Sequence, residues 1–147
     1  MKYPKLEDTP IKEIIFSISY GEIVDKNCFE NFVNLDFIKN HFEEKKPTVT
    51  NEFQITANGV NVLKDNSGFH LKKENEILQM RKGSLSYHQI NEYRDYEDML
   101  LSLIKYWEHF QLITTDSLTI TDISVRYINY FEINEFNSVS ELIQLYP

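Results

Sequence analysis

Two charged residues stand where an apolar alternation should leave none. Glu13 interrupts the run Ile11 to Tyr20, and Arg126 interrupts the run Leu118 to Ile133. A buried charge without a partner is costly to desolvate. The two are therefore expected to meet, directly or through Tyr127 or Asn129, as a polar clamp joining the first and last strands. The alternative is that both project to water from an exposed sheet face. Such a clamp is structural, and no catalysis follows from it. Cys28 falls in the first turn of an expected helix, where the dipole can lower a thiol's pKa. With no histidine near it in sequence, it reads better as a small buried hydrophobe. His41, His70, His88 and His109 fall in four different elements, with no pair at i,i+4 spacing, so no metal site is expected. His70 and His88 could meet only through a particular strand order. The carboxylates Glu43-Glu44, Glu74/Glu76 and Asp95/Glu97/Asp98 sit at turns or helix ends, where capping and solvation explain them. Neither phosphate-cradling glycine spacing occurs, so no nucleotide cofactor is expected. The inventory offers no set of nucleophile, base and orienter, and the reading is that of a protein without catalytic residues, cofactor or metal.

The chain that must position these groups has 147 residues, 41% of them hydrophobic and 26% charged, enough for a single compact domain. Twenty-three acidic against fifteen basic residues give a formal charge of -8. That is the wrong sign for tracking phosphates or anionic lipid, so neither nucleic acid nor membrane is expected as a partner. The lysine pairs Lys45-Lys46 and Lys72-Lys73 are each flanked by glutamates. One cysteine excludes an internal disulfide framework, no apolar run is long enough to span a bilayer, and the opening Met1 to Asp8 lacks an apolar signal segment. A cytoplasmic setting is the expectation.

Between Pro10 and Asn27 lies an alternating strand with Ile14, Phe16, Ile18 and Tyr20 on one face. Asn27 and Glu30 suggest a capping box, and Phe29 to Phe42 recur at helical spacing up to Glu43. Beyond Pro47, a second strand is expected to run to Asn58-Gly59. Three turn signals, Asp65-Asn66-Ser67-Gly68, 73–76 and Lys82-Gly83, then divide a meander of short strands over Gly68 to Lys73, Ile77 to Arg81 and Ser84 to Ile90. Asp95 caps a helix whose stripe runs from Met99 through Leu103, Trp107 and Phe110 to Ile113. Leu118 to Ile133 reads as a long bent strand, and Ser138 to Leu145 begins another helical pattern. The order predicts an α+β two-layer sandwich, an antiparallel-rich sheet with two main helices on one face.

Three stretches carry a resemblance: Pro10-Ile11-Lys12-Glu13-Ile14-Ile15-Phe16, the segment Tyr93 to Trp107, and Val125-Arg126-Tyr127-Ile128-Asn129. Together they resemble a family of sporadically distributed bacterial and archaeal proteins with Pro-Ile-x-Glu and Arg-Tyr-Ile-Asn signatures and no assigned activity. The resemblance implies the first half of a usual member, with a further α+β portion after the last strand, and it implies no catalytic residue.

Nine tyrosines and ten phenylalanines serve either a core or a contact surface. An acidic, aromatic-rich α+β domain with sheet edges is expected to be a non-enzymatic interaction or scaffold domain, pairing with a protein partner or with itself. Two other readings are a small acidic inhibitor of immunity type that binds a basic partner, and a domain that holds a small ligand between sheet and helices.

Overall fold

The computed structural model describes residues 10–57, 59–114 and 117–130. The expected elements at Met1 to Pro4, Ile133 and Ser138 to Leu145 lie outside them. The first strand, β1 (Ile11–Tyr20), buries Ile14, Phe16, Ile18 and Tyr20 and leaves Glu13, Ile15, Ser17 and Ser19 half-covered on the opposite side. Period-two alternation produces this division, because successive side chains leave opposite faces of a pleated strand.

Five further strands, β2 (Glu44–Thr56), β3 (Gly59–Lys73), β4 (Glu76–Arg81), β5 (Ser84–Ile90) and β6 (Ile120–Asn129), complete a sheet of order β2-β3-β4-β5-β1-β6. Every neighbouring pair is antiparallel. The amino-terminal strand is thus inserted between β5 and β6. β4 and β5 follow the expected runs closely, whereas β3 begins at Gly59 rather than at Gly68.

Three helices, α1 (Lys26–Val33), α2 (Asp36–Lys39) and α3 (Tyr96–Ile113), cover the face that carries Phe16 and Tyr87. Phe110 of α3 is fully buried, stacked on Phe29 at 5.9 Å and meeting Phe32 edge-on at 5.5 Å, both from α1. Trp107 and Phe110 also pack on Tyr20 of β1. This α+β two-layer sandwich is the architecture the element order implied.

Two local expectations are corrected. The single helix expected from Asn27 to Glu43 is divided, because Leu35 adopts an extended conformation (ψ 135°) between α1 and α2. Its cap is Asp25, whose Oδ1 accepts the Asn27 amide at 2.7 Å, so Asn27 lies inside the first turn. The Asp65-Asn66-Ser67-Gly68 stretch does not turn. It is an irregularity inside β3, where the register with β2 shifts between Thr48 and Val49. Gly68 has φ +152°, and a Cβ there would lie 1.9 Å from the Met80 carbonyl oxygen. Glycine is required by that close approach of two backbones.

The irregularity has a large consequence. β4 pairs with β3 only over Gly68 to Lys73. Among the described residues, Val49 to Thr56 and their partners Gly59 to Asn66 therefore pair only with each other, as a two-stranded arm. At about 3.3 Å per residue, its strands extend about 25 Å past the body of the sheet.

Candidate functional site

On the sheet face away from the helices, Glu13 does find a partner, but across the other neighbour from the expected one. Glu13 Oε1 lies 2.7 Å from His88 Nδ1 on β5, and His88 Nε2 lies 2.9 Å from Ser86 Oγ. A carboxylate only accepts, so Nδ1 carries a proton, and in the neutral imidazole Nε2 accepts from the Ser86 hydroxyl. The pair is well covered, with side-chain exposures of 13% for His88 and 24% for Glu13.

Arg126 does not join it. Its register partner is Ile15, whereas Glu13 faces Ile128, and Arg126 is exposed along an exposed β6. An edge strand leaves a long arginine free to extend into water, which removes the desolvation cost that made a buried pair necessary. Tyr127 projects from the opposite face, beside Tyr93 and Tyr96, and burial together with those neighbours raises its pKa. Asn129 ends β6 opposite Ile11. The polar link therefore joins β1 to β5, and its histidine was the residue that sequence left unassigned.

The Ser86–His88–Glu13 line has the order of an activated hydroxyl. Ser86, however, occupies an interior strand, in register with Ser17 on one side and Gln79 on the other. The main-chain amides around it belong to the two ladders, so a developing oxyanion would meet no free backbone donor. His70 stands on β3, opposite Gln79 rather than beside His88, and burial with the nearby His88 and Lys46 lowers its pKa. Among the described residues, no three His, Cys, Asp or Glu side chains gather to hold a metal ion. Cys28 lies 3.9 Å from the Ile113 carbonyl oxygen, at the far end of α3 from this line.

A second polar centre lies on the helix side. Glu76 is not a solvated turn residue. It opens β4 on the face of Leu78 and Met80, opposite Gln89. His41 Nε2 binds its Oε2 at 2.7 Å, while the Tyr87 hydroxyl donates to its Oε1 at 2.8 Å. Arg94 Nη1 donates to the Tyr87 oxygen at 2.7 Å and reaches Glu76 at 3.4 Å. Burial alone would raise the Glu76 pKa. The bonds from His41 and Tyr87 and the charges of His41 and Arg94 outweigh it and hold the carboxyl below its ordinary range. Burial and the same carboxylate push the Tyr87 hydroxyl well up, and burial pushes Tyr106 to about 12. The sequence signal was present: Glu76 and Gln89 continue the inward alternations Glu76-Leu78-Met80 and Leu85-Tyr87-Gln89.

The arm is the third feature. Register pairs Phe53 with Val62 and Ile55 with Val60, and Val49 shares their face. The four paired residues form an apolar ladder, with Phe53 exposed to 68% and Ile55 to 85%, and the Asn51–Lys64 pair separates it from Val49. A two-stranded ribbon is marginal alone in water, and a contiguous apolar stripe on it marks a contact surface. No helix among the described residues is long and apolar enough to cross a membrane.

No protein-family model, no curated protein and no solved structure matches the chain.

Proposed function

We propose that this is a non-enzymatic protein-interaction domain whose docking element is the β2–β3 arm. The exposed ladder of Phe53, Ile55, Val60 and Val62 carries this reading. The sheet body and its buried core hold the arm's base, and the arm offers both an apolar face and strand edges to another chain.

The partner is a different protein of basic character. At a net charge of -8, two copies of this chain repel, whereas a basic surface is steered toward it. Aromatic and aliphatic anchors of this kind supply affinity once seated in a partner's pocket, and complementary charge supplies the encounter rate. The absence of catalysis rests on the position of Ser86 between two ladders. The resemblance to the sporadically distributed bacterial and archaeal family belongs to the same proposal, since it implies no active-site residue either.

Site-specific photocrosslinking in the native host tests the reading. A photoreactive residue at Phe53 is expected to trap one discrete basic protein, while the same residue at Glu108, on the exposed side of α3, traps none. A discrete adduct from position 108 with nothing from position 53 would sink the proposal.

A further inference from the structure

Beside the Glu76 centre the helix layer leaves a cleft of about 360 Å³. Its lining comes from residues 73–76, Gln89, Glu92 and Arg94, with His41 at one side. Lys73, Glu76 and Gln89 form its floor as one row across β3, β4 and β5, since Lys73 faces Glu76 and Glu76 faces Gln89. The size falls at the small end of ordinary ligand sites.

One atom in this floor has no explanation among the described residues. Gln89 is 2% exposed, and its Oε1 has no hydrogen-bond donor among the described residues. Its Nε2 donates to Glu92 Oε2 at 3.3 Å, which fixes the amide with the oxygen away from Glu92. A buried acceptor left unmade costs on the order of 1–3 kcal/mol, and a hydrophobic residue at this place in β5 would avoid the cost. The charges of the cleft are also incompletely matched. Glu76 is answered by Arg94 and His41, whereas among the described residues no ion pair is formed by Lys73, Glu74 or Glu92.

We propose that this cleft binds a small zwitterion of the amino acid class. The ligand's ammonium group donates to Gln89 Oε1 and lies against the Glu92 carboxylate. Its carboxylate is taken by Lys73 at the other end of the row. Glu92 is exposed and tied to Gln89 by a single long bond, so it is the side chain that yields to admit the ligand. Glu76, already saturated by three donors, serves as the fixed wall that keeps the two poles apart. A simple amine would leave Lys73 unanswered, and a simple carboxylate would leave the Gln89 oxygen orphaned, so both charges are needed on one molecule. This site is separate from the arm, and its occupancy does not depend on the proposed docking role.

The test is thermal unfolding and titration calorimetry of the full chain with each of the twenty common amino acids at about 10 mM, a concentration that stabilises a site with millimolar affinity. At least one is expected to raise the melting temperature and to bind. Binding is expected to fall at least about tenfold in both Gln89→Met and Lys73→Met, and to be unchanged in Asp122→Asn, on the edge strand β6 opposite Ser19. Gln89→Met keeps the volume and removes the orphan, so it is expected to fold, and circular dichroism checks this. If Gln89→Met does not fold, Lys73→Met and Glu92→Gln decide the matter. Methylamine and acetate, used as single-charge probes, are expected to bind at least about tenfold more weakly than the zwitterion. The proposal fails if no amino acid binds, if binding survives both floor substitutions, or if methylamine alone binds as well.

Discussion

Phe53 and Val62 face each other across the β2–β3 ribbon, and both are at least half exposed, at 68% and 50%. Cross-strand apolar pairs stabilise a ribbon by only a few tenths of a kcal/mol to about 1 kcal/mol each. This pair does little to hold the arm in place, and the surface it presents is available to a partner.

The polar link on the open face distinguishes two residues that looked alike in the sequence. Glu13→Ala leaves the His88 Nδ1 proton without its acceptor in a well-covered place, and is expected to cost about 1–3 kcal/mol. Arg126→Met, on the exposed edge, is expected to stay within about 0.5 kcal/mol. Urea unfolding of both variants checks this, and similar losses from the two would contradict the assignment of His88 as the partner.

The Ser86 hydroxyl bonded to His88 offers a direct check on the proposed non-enzymatic role. A fluorophosphonate probe is expected to leave Ser86 unmodified by mass spectrometry. Stoichiometric labelling of Ser86, abolished in His88→Gln, would make the line an active site and reverse the non-enzymatic reading.

Acid stability should report on Glu76. Its folded pKa lies below the ordinary value of 4.5, so the ionised form favours folding. That contribution is present above the unfolded pKa and is lost as the pH falls from about 4.5 through the folded value. Glu76→Gln is expected to be less stable at neutral pH and to show a shallower fall in stability between about pH 5 and pH 3. An unchanged acid slope would mean that the His41, Tyr87 and Arg94 cage does not discriminate between protonation states.

Gly68 is the position where the arm leaves the sheet. Gly68→Ala would place a methyl group 1.9 Å from the Met80 carbonyl oxygen. Backbone cannot yield there as a side-chain tip can, and a loss of more than about 3 kcal/mol is expected in thermal or urea unfolding. A loss below about 1 kcal/mol would show that the β3–β4 contact is looser than described.

The divisions between legible and illegible features follow from the range of the forces involved. The inward residues of β1, the stripe of α3 and the meander boundaries at 73–76 and Lys82-Gly83 are local, and alternation, helical spacing and turn residues expose them. Asp65 to Gly68 carries the same residue types as a turn, but pairing with Thr48, Val49 and Thr50 of β2, and of Gly68 with Arg81 of β4, keeps the chain extended there. The partner of Glu13 depended on β1 entering between β5 and β6, which no local pattern encodes. Glu76 was misjudged because a glutamate beside a turn is ordinarily solvated, and only the tertiary approach of His41 and Arg94 makes its burial tolerable. The arm was hidden for the same reason: its apolar alternation is that of any half-buried strand, and the missing cover is a property of the assembled fold.

The docking role of the arm is tested most directly by the affinity of the partner trapped at Phe53, purified and titrated against the wild-type chain and against Phe53→Asp. The account predicts a loss of at least about a hundredfold, about 2.7 kcal/mol, with the circular dichroism spectrum unchanged. Affinities agreeing within about threefold, with both proteins folded, would contradict it.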